Sequence, residues 1–396
     1  MKIAYLVTDP NISLTRANGP TAHINGTVGG MRSHGVEVRV FMAHDYVVRS
    51  SVVGSQAPVS AGIAPRNRGK LRIMLSDLKR FWRNLKLTDR LAADLREFDP
   101  DVVYERSWLF SFGGLRFARQ FGCKHFIETP CCEAEITSES YGLSSIAVAN
   151  RLEAIKFSRS DCVVTQSVAS VELARRKFGL SAKIVAKPLG YDTKASDGFD
   201  SMIPSEVSVF CKKYKTVVCF VGTFGRYQGP ELLMEIIEKM SLVESEIGFL
   251  LCGAGGIQEE CVALSKSQKL DHVYFTGMVP SDSLSAYMKL TSVGIVPDCD
   301  EYMSPIKTLH YGAAGLSIVV PNYVGFDGVV EERETGSRFQ PKNVESAVEV
   351  LLSLHRDKKR RDDLGRNFRN HVTKNYSWNG VVLEVVSVAR KMSKAD

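Results

Sequence analysis

Between Asp300 and Gly315 the chain reads DEYMSPIKTLHYGAAG, and this stretch holds the residues best suited to chemistry. Ser304 is placed to cap a helix and Pro305 to occupy its first position, which leaves the amides of Ile306 and Lys307 without partners inside the helix. Lys307 adds a point cation to the positive end of the helix dipole, and a diphosphate needs both the amides and the charge. A second anion site is suggested by Gly19, in the turn DPNISLTRANGP ahead of a helix near Thr21, where backbone can approach a ligand. Cys252-Gly253-Ala254-Gly255-Gly256 follows a strand and opens a helix, but Gln258 stands at the third glycine position of a dinucleotide fingerprint. Close packing of strand, turn and helix explains that run about as well as phosphate contact does. Asp298 and Asp300 have the spacing to bridge Mg²⁺, yet acidic loops at strand ends are ordinarily solvated, and no metal site is expected.

The elements that must position these residues are legible as an alternation. KIAYLV, VEVRVFM, DVVYE, KHFIET and DCVVTQS read as strands separated by amphipathic helices, the first of them the stretch Thr21 to His34. After Pro188-Leu189-Gly190 the pattern restarts with TVVCFVG, IGFLLCG, VYFTG, SVGIVP and SIVVP, with helices between. Such alternation predicts βαβ units and parallel sheets covered on both faces. The fold class is α/β, with two Rossmann-like doubly wound domains. Residues 1–190 form one domain, 191–377 the second, and 378–396 a helix crossing back to the first. The segment Asp192 to Ser205 reads as the linker. Ligands of open α/β sheets bind beyond the carboxyl ends of the strands, so the loops after Val7, Val221, Cys252, Thr276 and Val296 should face a central cleft.

Length and composition exclude several classes. At 396 residues, 44% hydrophobic, the chain can build two cores, and no apolar run approaches the roughly 20 residues that span a bilayer. The N-terminus meets Asp9 and Pro10 before a secretory leader could develop, and the nine cysteines lack metal or disulfide spacing, so a cytoplasmic protein with reduced thiols is expected. The net charge of +7 is moderate and by itself does not exclude nucleic acid, but no nucleic-acid partner is expected.

The block SPIKTLHYGAAGLSIVVP resembles the S-P-x-K-x-x-E-Y-x-A-A-G-x-P-V-V signature of family-4 glycosyltransferases of the GT-B fold. VCFVGTFGRYQGPELLMEII, GFLLCGAGG, VYFTGMVPSDSLSAYM, GFDGVVEERETGSRF and NYSWNGVVLEVVSVARK keep that family's order and spacing, and PDVVYERS with the helix after Gly19 is similar but looser. The resemblance implies transfer of a sugar, with retention, from a nucleotide sugar held mainly by the C-terminal domain to a sugar, lipid-linked or small-molecule acceptor held mainly by the N-terminal domain. It implies no cofactor and no metal. Lys307 and Arg226 would neutralise the leaving diphosphate, helped by the backbone at Gly19, Gly222, Thr223, Gly253, Pro305 and Ile306. Gly277 and Met278 would meet the base, His310 the ribose, and Asp300, Glu301, Tyr302, Met303 and Ser304 the sugar. His23 and Arg106 would meet the acceptor.

The departures from the pattern matter as much. The two glutamates of the family's E-x7-E fall on Tyr302 and His310, and its usual Arg and Lys after the first glycine loop fall on Thr223 and Gln228. A non-catalytic GT-B protein that binds a nucleotide sugar or a partner enzyme, or a nucleotide-sugar epimerase, is therefore an alternative. An NAD-dependent oxidoreductase is disfavoured by the incomplete glycine fingerprint. Finally, Leu71, Leu75, Leu78, Phe81, Trp82 and Leu85 form a helical stripe among Lys79, Arg80, Arg83 and Lys86, within a basic segment spanning 66–90. That stripe either lies on anionic lipid or packs on the N-terminal sheet.

Overall fold

The computed structural model describes residues 1–9, 12–14, 19–43, 45, 70–131, 133–180, 182–191, 203–280, 283–302 and 305–393. They form two units: Met1–Pro188 joined by Trp378–Asp396, and Leu189–Ser377. The first holds strands β1 (Lys2–Val7), β2 (Glu37–Met42), β3 (Val102–Arg106), β4 (Lys124–Thr129), β5 (Cys162–Thr165) and β6 (Lys183–Ala186) in the order β2-β1-β3-β4-β5-β6. The second holds β7 (Thr216–Val221), β8 (Ile247–Cys252), β9 (Val273–Gly277), β10 (Val293–Ile295), β11 (Ser317–Pro321) and β12 (Ser337–Phe339) in the order β12-β11-β10-β7-β8-β9. Every pairing is parallel. The chain is thus the α/β, doubly wound protein that the alternating pattern predicts.

Burial follows from the sequence. TVVCFV and IGFLLC are apolar on both faces because helices cover both sides of a parallel sheet, and nearly every residue in them is buried. The helix Pro230–Val243 starts where proline is tolerated, at its first turn, and turns Leu233, Met234, Ile236, Ile237 and Met240 inward. They meet Phe220, Phe249 and Leu251 in the core of the second unit. In the first unit, Leu6, Phe41, Val103 and Phe117 pack with Leu91 and Leu95.

Strand order locates the sites. In the first sheet the direction of winding reverses between β1 and β3, in the second between β7 and β10. A doubly wound sheet leaves a crevice at the carboxyl ends of the strands at that switch point, since the connections depart to opposite faces. Local boundaries differ slightly from expectation. The first helix starts at Gly19 rather than near Thr21, and Ser205 opens a helix, Ser205–Lys212, instead of closing the linker, whose residues 192–202 lie outside the described ones.

The C-terminal segment belongs physically to the first unit. Trp378 lays its ring on the helix Gly19–Ser33, where a Cβ at Gly26 would sit 2.0 Å from the ring. Ser33 Oγ donates to Asn379 Oδ1 at 2.9 Å, and Val385, Val386 and Ala389 are buried beyond it. Gly26→Ala should therefore lower the unfolding free energy of this unit by about 1–3 kcal/mol through overpacking. In a Trp378→Ala background the same substitution should cost almost nothing. Denaturant titration of the four proteins checks both, and equal losses in the two backgrounds would refute the contact.

Candidate functional site

The second switch point is built from glycine loops that touch. After β7 the Gly222 amide donates to Cys252 O at 2.9 Å, and after β8 the Gly253 amide donates to Gly277 O at 2.9 Å. A Cβ at Gly253 would lie 1.7 Å from the Gly222 carbonyl oxygen, so only hydrogen fits. Packing of one loop on the next thus accounts for the first glycine of the Cys252–Gly256 run.

Lys307 lies against these loops. It is the second residue of the helix Ile306–Ala313, which follows β10, and only 7% of it is exposed. Its Nζ donates to Gln228 Oε1 at 2.5 Å and sits 4.5 Å from the centre of the Phe220 ring. A Cβ at Gly222 would come within 2.9 Å of Nζ and 2.1 Å of Gln228 Oε1, so that glycine leaves room for the pair. Gln228 is in turn fixed by its Nε2, which donates to Thr223 Oγ1 and Tyr227 OH, both at 2.9 Å. Burial pushes the Lys307 ammonium down from 10.5 to about 7, with the thiols of Cys299 and Cys219 opposing it weakly. One expectation changes: Pro305 precedes the helix as its cap residue, with no side-chain cap, instead of occupying its first position.

The other donor-site candidates scatter more widely. Arg226 is exposed and its guanidinium pairs with Glu231, with Glu260 at 3.8 Å, so carboxylates already answer its charge; it is not poised as Lys307 is. His310 is partly buried, edge-on to Tyr191 with ring centres 5.4 Å apart, and burial lowers its pKa to about 4, which keeps it neutral. Asp300 Oδ1 accepts the Tyr302 amide at 2.9 Å, and Glu301 is exposed, its carbonyl accepting the Gly325 amide at 2.7 Å. Met303 and Ser304 lie outside the described residues. Met278 is exposed beside Gly277 at the end of β9. Asp298 accepts the Tyr323 hydroxyl at 2.8 Å and the Cys299 amide at 2.9 Å. Among the described residues one group, Glu244, Glu246 and His355, has the proximity of a metal site. It lies at the opposite end of the sheet, since His355 Nδ1 contacts Thr216 Oγ1 at 3.0 Å, and Lys215 already pairs with Glu246.

The first switch point carries a different arrangement. His23 Nε2 meets Glu128 Oε1 at 2.7 Å, Lys187 Nζ meets the same oxygen at 3.0 Å, and Tyr104 OH donates to Glu128 Oε2 at 2.9 Å. Burial alone would raise the Glu128 carboxyl, yet His23 and Lys187 hold it well below the usual range. Burial lowers His23 to about 4, so its neutral ring donates Nε2–H to the carboxylate. Arg106 ends β3, and its Nη1 is buried without a hydrogen-bond partner, as are the hydroxyls of Tyr5 and Thr8. Gly19 opens the helix that carries His23. Glu128 and Lys187 escaped the sequence reading because the Glu of KHFIET and the second Lys of KIVAKP carry no spacing signal.

Two family models match the chain. Residues 207–371 match "Glycosyl transferases group 1" and residues 18–190 match "Glycosyl transferase 4-like domain". Among curated relatives, the sulfoquinovosyl transferase of Arabidopsis thaliana is 28% identical over 174 residues, 43% of this chain and 32% of that protein. A GDP-mannose-dependent phosphatidylinositol monomannoside mannosyltransferase of Mycobacterium tuberculosis is 25% identical over 225 residues, 54% of this chain and 57% of that one. The chain therefore spans roughly a third to a little over half the length of these relatives. Among solved structures, sucrose-phosphate synthase of Thermosynechococcus elongatus superposes with a TM-score of 0.76 at 17% identity, covering 100% of both chains. Anabaena HepE in complex with UDP and glucose gives 0.70 at 13%, covering 99% of this chain and 100% of that one. The chain belongs to the family-4 glycosyltransferases of the GT-B fold.

The buried lysine makes a pH-linked prediction. Free at pH 8, Lys307 is largely neutral, because its pKa is lowered to about 7. A diphosphate seated beside it favours the charged form and raises that pKa, so binding a nucleotide sugar at pH 8 should take up a fraction of a proton, and binding should weaken as pH rises above about 7. Calorimetric titration in two buffers of different ionisation enthalpy reads the uptake. It should vanish in Lys307→Met; uptake that persists there would place the proton elsewhere.

Proposed function

We propose that the chain transfers a hexosyl or related group from a nucleotide-sugar donor to an acceptor with retention of configuration, the second unit holding the donor. The observation that carries this reading is the buried Lys307 ammonium at the second switch point, bonded to a neutral amide and not to a carboxylate. An unneutralised buried cation beside free helix amides is an incomplete arrangement that a diphosphate would complete. As the bond from the anomeric carbon to the diphosphate oxygen breaks, negative charge grows on the leaving group, and Lys307 with the amides of Ile306 and Lys307 would stabilise it. The departing phosphate oxygen takes the proton of the acceptor hydroxyl, and the new bond forms on the face just vacated, so no protein base is required. That HepE was solved with UDP and glucose supports a nucleotide-sugar ligand for this fold. Near the first switch point, we assign the acceptor to His23 and Arg106. Because protein groups supply the positive charge, EDTA should leave donor binding and transfer unchanged; activity lost to EDTA and restored by Mg²⁺ would contradict this.

One observation favours a second reading, a donor-binding protein without transfer activity. Tyr302 and His310 stand where the family pattern has carboxylates, and His310 is neutral against Tyr191. Lys307→Met separates the two, since it keeps the side chain's length and apolar packing while removing the charge. If Lys307 acts on the transition state, transfer should fall about a hundredfold or more while donor affinity falls far less. Calorimetry gives the affinity, a product assay the rate, and circular dichroism the fold. Equal losses would confine Lys307 to ground-state binding. A native protein that binds donors yet transfers to no acceptor would establish the second reading.

A further inference from the structure

The helix Lys70–Phe98 buries one face and leaves another bare. Its C-terminal half anchors in the first unit through Leu91, Leu95 and Phe98, while Phe81 packs near Leu109, Phe110, Ala134 and Ala149. Asp77, the acid of its first three turns, is buried, with Oδ2 accepting the Ser144 amide at 2.9 Å and hydroxyl at 2.7 Å, and Oδ1 pairing with Arg80 at 3.2 Å. Five large apolar residues remain in water: Leu71 (67% exposed), Met74 (43%), Leu75 (49%), Leu78 (49%) and Trp82 (60%). At 100° per residue they share an arc of about 100° on the helix. Phe81 therefore leaves the stripe that the sequence suggested, and Met74 joins it; Leu85 lies among side chains outside the described ones. Ile146 and Val148, just past the Ser144 anchor, are exposed as well, so apolar surface continues off the helix.

We propose that this face lies on a bilayer containing anionic lipid. The charge on the page selects that occupant. Arg72 and Lys79 are exposed along one flank of the stripe, and the sequence continues that flank by helical spacing at 83, 86 and 90. Through Trp82, every exposed charge on the helix is positive, since the one acid is buried and paired. A second copy of the chain docking face to face would set these cations against each other, whereas an anionic interface answers them while taking up the leucines and the indole. This surface is independent of the donor site, and its test involves no sugar nucleotide.

The full chain should sediment with phosphatidylcholine vesicles that contain phosphatidylglycerol and stay in solution with phosphatidylcholine alone. High salt should release it. Trp82 fluorescence should shift to the blue on binding, and Trp82→Phe should remove the shift. Leu75→Gln with Leu78→Gln and Trp82→Gln should abolish sedimentation, and Arg72→Gln with Lys79→Gln should weaken it roughly 25-fold, at about fivefold per cation. Both sets replace exposed residues, so thermal melting and circular dichroism should stay at native values. Arg80 is left in place because it holds Asp77. No sedimentation, equal sedimentation with both lipids, or a dimer by light scattering that the leucine variant dissolves would each overturn the proposal.

Discussion

A lysine kept in the interior without a carboxylate is the constraint around which the second unit is arranged. Removing an ammonium from water is costly, and the structure meets that cost with small contributions: one amide oxygen from Gln228, the face of the Phe220 ring, and two weak thiol neighbours. The arrangement depends on exact spacing. Gly222 must be glycine for Nζ and Oε1 to meet, Gln228 must be clamped by Thr223 and Tyr227, and the loops after β7, β8 and β9 must be stitched amide to carbonyl. A carboxylate in place of the Gln228 amide would compete with any anion for the same ammonium.

The first unit, with the same kind of winding, makes the opposite electrostatic choice. There Lys187 is buried against Glu128, and His23 and Tyr104 complete the carboxylate's shell. That network is close to neutral and closed, and it fixes the helix bearing His23 to the strand ends. What it leaves over is hydrogen-bonding capacity at the Tyr5 and Thr8 hydroxyls and at Nη1 of the Arg106 guanidinium. One switch point thus buries a lysine without a carboxylate, and the other pairs its buried lysine with one.

Much of the fold was legible because it rests on patterns that repeat. Apolar runs such as TVVCFV and IGFLLC announce buried parallel strands, and Gly229-Pro230 marks a helix start. Lys307 could be found from the helix-start motif, yet its burial could not, because that depends on Gln228 arriving from 79 residues away. The same limit hid the surroundings of Arg226, since Glu260, 34 residues on, comes near it only once the helices are placed. In the basic helix, spacing defined the stripe, but only tertiary contacts at Asp77 and Phe81 decide which flank faces inward.

The return of Trp378–Asp396 to the first unit makes that unit discontinuous, with Leu189–Ser377 nested inside it. During synthesis the ribosome completes every strand of the first sheet early, yet the helix carrying Gly26 and Gly30 must wait for Trp378 before its surface is covered. The inserted unit can close on its own schedule in between. An interrupted chain would thus present a finished second unit beside a first unit with an open apolar seam, a state that proteases and chaperones can tell from the completed protein.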